Sequence, residues 1–263
     1  CSSKIKNTIM RKIFILIFSI AFTSLNAQQS QIFINKGVIE FEKQLNLHKE
    51  IDDSWDNGED NIWKQNMKKN LPKVQTTYFN LYFKDNKTVY KQGKEAPQGL
   101  QKIPDWMADR TLENVVYNDL DKQETIAQKS VFEQTFLVQD SITKINWRIT
   151  NDTRTIAGIE CRKAIGKVMD SVYVIAFYTD LIECSGGPMG ITGLPGMILG
   201  VAIPRMNTTW FATKVQMIEV KETDMAIPKK GKKSTTKEIL QTLQKSTKDW
   251  GKEGQRNIWR LLL

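Results

Sequence analysis

Thr76-Thr77-Tyr78-Phe79-Asn80-Leu81-Tyr82-Phe83, followed by Lys84-Asp85-Asn86-Lys87 and Thr88-Val89-Tyr90, decides the fold class. Apolar and polar side chains alternate with a period of two, which puts the apolar set on one face of a strand. The Asp-Asn pair between the runs reads as a tight turn, so the stretch predicts a β-hairpin. Downstream, Asn114-Val115-Val116-Tyr117 and Glu124-Thr125-Ile126-Ala127 flank Asn118-Asp119-Leu120-Asp121 as a second hairpin. Further strands are expected over 131–138, 142–149, 160–169 and 171–178, with Asp170 in the turn between the last two. Upstream, from Gln31 to Leu47, Ile32, Ile34, Val38, Ile39 and Phe41 around Gly37 predict a long first strand with a bend. Short strands on short turns leave no room for the crossover helices of a parallel sheet. The fold class is therefore mainly β (α+β): a large curved antiparallel meander, up to a half-barrel, with a C-terminal helix. Trp147, Tyr173, Phe177 and Trp210 are the expected lining of one face.

Helical signals are sparse. Asp52-Asp53-Ser54-Trp55-Asp56-Asn57-Gly58-Glu59-Asp60 is superficially a calcium loop, but counting from Asp53 the third and twelfth positions are Trp55 and Lys64, where oxygen ligands are required. It reads as a solvated loop entering a short helix through Trp63 and Met67. At the other end, Thr235-Thr236-Lys237-Glu238 is a capping box, and Ile239, Leu240 and Leu243 form the apolar stripe of a terminal helix that can break at Gly251 or Gly254.

Composition narrows the function classes. The chain has 263 residues, 40% hydrophobic and 25% charged, enough for one well-filled domain. Its single histidine, His48, excludes multi-histidine zinc sites, and no G-x-S-x-G elbow supplies a nucleophile for a histidine triad. Arg11-Lys12, the apolar run Ile13 to Leu25 and Asn26-Ala27 form a secretory signal cut after Ala27, with residues 1 to 9 upstream of a start at Met10. The apolar core is about 13 residues, short of the ~20 that span a bilayer. The expected organisation is thus 1–27 removed and 28–263 a single β-rich domain. Losing four cations and no acid takes the formal charge from +9 to +5. The remaining Lys229-Lys230 and Lys232-Lys233 run reads as a solvated loop, so no nucleic-acid partner is expected.

Export leaves Cys161 and Cys184 in an oxidising compartment. They are a disulfide candidate, closing a loop of about 22 residues worth ~3 kcal/mol. Two unpaired thiols, or a soft-metal site with Met189 or Met197, are the alternatives. The spacing matches no recognised metal pattern, and no metal or cofactor is assigned.

The stretch from Gly186 to Gly200 holds six of the 15 glycines. Leu194-Pro195-Gly196-Met197 suits a type II turn, with proline fixing φ and glycine supplying positive φ after it. No phosphate-binding ending follows. Here the chain resembles the GLPGLI family of exported Bacteroidota proteins through Gly193-Leu194-Pro195-Gly196-Met197-Ile198-Leu199, with Met197 in place of leucine. Tyr78 to Lys91, Asn146 to Ile149, Thr155 to Ala164 and Phe177 to Asp180 leading into Gly187-Pro188 also look like that family. The resemblance implies an exported protein of unknown biochemical activity, encoded near TonB-dependent receptors, in the periplasm or at the outer membrane.

The leading expectation is accordingly a non-enzymatic binding or accessory protein for an apolar ligand or an outer-membrane transport partner. Gly193 to Leu199 serve either as a buried turn or as a binding lip. Two other expectations stand beside it: soft-metal handling through Cys161, Cys184 and a methionine, and an unrecognised hydrolase using carboxylates such as Asp170, Asp180 or Glu183.

Overall fold

The computed structural model describes residues 34–54, 62–96, 103–104, 107–169 and 171–262. The expected signal segment, residues 31–33 of the first strand, the centre of the acidic loop and Asp170 lie outside the described residues. The strands are β1 (Lys36–Asn46), β2 (Val74–Lys84), β3 (Lys87–Gln92), β4 (Val115–Asp119), β5 (Glu124–Val131), β6 (Gln134–Ser141), β7 (Arg148–Ile156), β8 (Ile159–Val168), β9 (Val172–Thr179), β10 (Met197–Ile203), β11 (Thr208–Gln216) and β12 (Lys232–Ser234). Helices α1 (Leu47–Ser54), α2 (Ile62–Asn70), α3 (Thr236–Ser246) and α4 (Gly251–Leu262), with 3-10 turns at Pro188–Gly190, Pro204–Met206 and Lys248–Trp250, complete the described elements.

All twelve strands join one sheet in the order β12-β6-β5-β4-β3-β2-β1-β11-β10-β9-β8-β7. Two meanders, β1 to β6 and β7 to β11, are joined where β1 pairs antiparallel with β11. The only parallel strand pair among the described residues is β12 with β6. The sheet is mixed, open and mostly antiparallel, with helices at its C-terminal end, in agreement with the sequence pattern. Its curvature follows from chain length. β6 and β7 lie ten strand intervals apart, ~48 Å if the sheet were flat. The connection between them, 142–147, reaches at most ~25 Å. The sheet must curl to bring its two ends within that reach.

Local sequence explains the elements. In β2 the alternation buries Phe79, Leu81 and Phe83, each at most 1% exposed, and turns their neighbours outward. Asp85 and Asn86 both take positive φ, 49° and 55°, as a two-residue hairpin turn needs. The capping box at α3 forms in full, with Thr235 accepting from the Glu238 amide and Glu238 from the Thr235 amide. The chain then breaks at Gly251, whose φ is 53°, and α4 buries Ile258, Trp259 and Leu261 in the core. Each such side chain contributes about 1.5–3 kcal/mol by leaving water.

Several expectations are corrected. Leu47 starts α1 rather than ending a strand, and Val131 closes β5, with Phe132-Glu133 turning the chain into β6. The expected strand over 142–149 is the connection across the sheet ends, and β7 begins only at Arg148. Tyr173 is exposed, because Val172 and Val174 take the buried positions of β9. Of the expected face, Trp210 is buried, while Phe177 sits on the other face with its ring 6.2 Å from Phe211.

The glycine-rich segment lies inside the curled sheet. Asn118 on β4 donates to the Gly190 carbonyl at 3.4 Å, and Trp147 donates to that of Thr192 at 3.0 Å. The segment therefore ties β4 to the connection that precedes β7. At Leu194-Pro195-Gly196 the Gly196 amide donates to the Leu194 carbonyl at 2.8 Å, while the Met197 amide bonds Ile182. This is a three-residue γ-turn rather than the expected type II turn. Gly196 has φ 132°, and a Cβ there would collide with the Thr179 carbonyl oxygen, so both conformation and space demand glycine.

Candidate functional site

A cleft of about 590 Å3 opens where β1 runs into α1, bounded also by the 107–111 loop, the β5–β6 turn and α4. Its volume is typical of small-ligand sites. Along β1 the inward positions are Ile39, Phe41, Lys43 and Leu45, so strand register points one lysine toward the core. Lys43 is 8% exposed, and its ammonium lies 2.7 Å from both carboxylate oxygens of Asp109. It also donates to Thr111 Oγ1 at 2.8 Å and lies 5.4 Å from the centre of the Trp210 ring, a cation–π contact.

Asp109 is saturated with donors. Besides Lys43 it accepts from the Thr111 hydroxyl at 2.7 Å, the Thr111 amide at 3.0 Å and the Thr77 hydroxyl at 3.0 Å. Burial pushes its carboxyl up, but the Lys43 charge and the hydrogen bonds from Lys43 and Thr111 outweigh that and hold it below the usual carboxylate range. Burial, then the Asp109 charge, raise the nearby Tyr90 phenol well above its ordinary value.

A second ionic cluster, centred on the buried Glu50, forms the wall. Glu50 and Asp53, three apart on α1, share a helix face, as do Arg256 and Arg260 on α4. Arg260 and Arg256 both pair with Glu50, and Arg256 reaches Asp53 at 2.9 Å. Asn207, in the left-handed region after the 3-10 turn Pro204–Met206, donates to Asp53 at 2.9 Å and Glu50 at 3.3 Å. These bonds clamp α4 against α1 and so build the cleft.

At the mouth, Phe132 meets Trp250 edge to face, with ring centres 6.4 Å apart and planes at 75°. Both are exposed, at 37% and 50%. Phe132 has φ 54°, a conformation that costs a bulky residue of order 1–3 kcal/mol.

The residues singled out from sequence lie elsewhere. None of Gly193, Leu194, Pro195, Gly196, Met197, Ile198 and Leu199 lines the cleft, and Leu194, Met197, Ile198 and Leu199 are buried. Cys161 and Cys184 are both buried free thiols, and burial pushes each up to about 12. Met189 is partly buried and Met197 fully so. Among the described residues no group of three or more His, Cys, Asp or Glu side chains is placed to hold a metal ion. Asp180 and Glu183 are exposed and outside the cleft. His48 lies in α1 with Nε2 3.2 Å from the Leu71 carbonyl oxygen, also outside it. No described helix is long and apolar enough to cross a membrane.

Sequence reasoning missed Lys43, Glu50, Asp109 and the two arginines. The available signal was a lysine interrupting the apolar face of β1, together with Asp109-Arg110-Thr111, whose aspartate bonds the amide two residues on.

Residues 80–240 match the family described as "N-glycanase peptide, N-terminal domain", a span that includes Asp109, Phe132 and the glycine-rich segment. The chain belongs to this family. No curated protein matches it. Two solved structures of PNGF-II are similar: one, in space group P21, is 15% identical, with 78% of this chain and 32% of that chain covered and a TM-score of 0.49. The other, in C2, is 14% identical, with 85% and 32% covered and a TM-score of 0.48. An uncharacterized conserved protein from Thermus thermophilus is 8% identical, with 82% and 99% covered and a TM-score of 0.38. All three scores are below 0.5, and membership rests on the family model alone. The chain spans about a third of the length of the PNGF-II chains.

Family membership overturns the resemblance to GLPGLI proteins, because Gly193 to Leu199 lie within the matched span of the N-glycanase domain. The motif misled because its glycines answer a backbone requirement. With the resemblance go the expected TonB-dependent receptor association and the leading expectation of a non-enzymatic binding protein for an apolar ligand or transport partner. A family defined by an N-glycanase domain points toward enzymes, and of the other expectations the hydrolase stands nearer. A shortage of histidine excludes chemistry that needs histidine, whereas acid–base chemistry can also run on carboxylates.

Proposed function

We propose that this chain takes part in removing N-linked glycans, as the N-terminal domain of an N-glycanase-type hydrolase, and that the cleft seats the glycosylated substrate. The observation that carries the reading is the buried Asp109 carboxylate at the cleft floor, inside the family-matched span and fixed by Lys43, Thr77 and Thr111. The acceptor sites of this carboxylate are already filled by Lys43, Thr77 and Thr111, so its part is to fix the cleft floor against which the substrate rests. General acids have their pKa raised, so Asp109, whose pKa is lowered, suits holding the site in place rather than proton donation.

The test is incubation of the purified chain with an N-glycosylated peptide and with the same peptide lacking its glycan, followed by mass spectrometry and retention on immobilised protein. Glycan release, or selective retention of the glycopeptide, lost in Asp109→Asn, is the expected result. Equal behaviour of the two peptides would contradict the proposal.

A further inference from the structure

We propose that Trp250 and Phe132 form a stacking lip for a neutral pyranose ring, whose hydroxyls then reach the few polar groups of a mainly apolar cleft. This rests on the reading of the cleft as a glycan site and names the part of the ligand read there. Three observations carry it. Two bulky aromatics stay exposed although a buried core lies close by, and they contact each other at the mouth of a cavity. Phe132 holds a left-handed backbone that glycine would adopt without strain, and Trp250 directly precedes Gly251 at φ 53°, so local backbone geometry presents both rings.

The third observation is charge balance. Lys43 is matched by Asp109, and Glu50 and Asp53 are matched by Arg256 and Arg260, so these paired groups offer no net charge to an ionic ligand. Arg110 adds a cation only at the exposed rim, where water screens it. A ligand that suits such a cleft is uncharged, with a flat apolar face and hydroxyls placed for its few polar groups. A pyranose ring has that chemistry: its axial C–H bonds cover an aromatic face and its rim is polar.

The experiment is isothermal titration and tryptophan fluorescence of the whole chain with triacetylchitotriose and mannotriose, both uncharged, as probes, compared with the glycan-free peptide. Wild type is expected to bind at least one trisaccharide saturably with a change in Trp250 emission. Trp250→Ala and Phe132→Gly should each weaken binding about fivefold to tenfold, the scale of one lost aromatic contact. Phe132→Gly relieves backbone strain, so loss of binding in a variant with unchanged circular dichroism is not loss of the fold. Trisaccharide binding that survives both substitutions, or no binding to either probe, would overturn the lip. Trisaccharide binding without effect on glycopeptides would keep the lip and remove the proposed function; glycopeptide cleavage without trisaccharide binding would do the reverse.

Discussion

Replacing Lys43 by Met isolates the interaction that builds the cleft floor. The variant keeps much of the side-chain volume and removes the ammonium, leaving Asp109, whose side chain is 6% exposed, with hydrogen bonds but no countercharge. Breaking one partner of a buried pair costs about 3–5 kcal/mol. Against a total of about 5–15 kcal/mol for a domain, that is a large share. The pH dependence fixes the sign. In wild type the Asp109 pKa is lowered on folding, so its contribution is present above the unfolded value, about 3.9, and is lost as pH falls through the folded one. In Lys43→Met burial dominates and raises the folded pKa, so the variant becomes relatively more stable as the group protonates. The loss should therefore be largest near pH 7.5 and shrink toward about pH 4.5, close to the ordinary carboxylate range. Lys43→Met combined with Asp109→Leu should recover most of it, because neither buried charge remains. Urea unfolding followed by tryptophan fluorescence, with Trp210 beside Lys43, gives the numbers. A loss below about 1 kcal/mol at neutral pH, typical of exposed pairs, or one independent of pH, would refute the reasoning.

Two further outcomes follow from the same structure. Cys161 and Cys184, with thiols pushed up to about 12, should resist alkylation at neutral pH in the native protein and react on unfolding; rapid native labelling counted by mass spectrometry would contradict their burial. Gly196→Ala forces a side chain at φ 132° against the Thr179 carbonyl, and a loss of about 2–4 kcal/mol in urea unfolding is expected; a neutral result would mean the turn can shift.

The hairpins were legible because each half-buried strand writes its alternation into a few adjacent residues, as in Phe79, Leu81 and Phe83. The capping box at Thr235 and the break at Gly251 were legible for the same local reason. β7 was not, since its residues are mostly exposed and carry no alternation. Ile142, Ile145 and Trp147 imitated a strand while packing as a connection across the curl. The junction of β1 with β11 is a pairing across more than 160 residues that no short window contains. The cleft was illegible for a related reason: Lys43 with Glu50, Asp109 and Arg260 come from three separate segments, and only tertiary packing makes them neighbours. The glycine motif was conspicuous because backbone geometry restricts it, with Gly193 and Gly196 both at positive φ.

The most direct test of the account is to locate an N-glycosylated peptide on the protein by NMR, following the Trp250 indole and the backbone amide of Thr111. The account expects both signals to shift saturably with the glycopeptide and to stay fixed with the unglycosylated peptide. Shifts confined to residues outside the cleft, or the same shifts with both peptides, would contradict it.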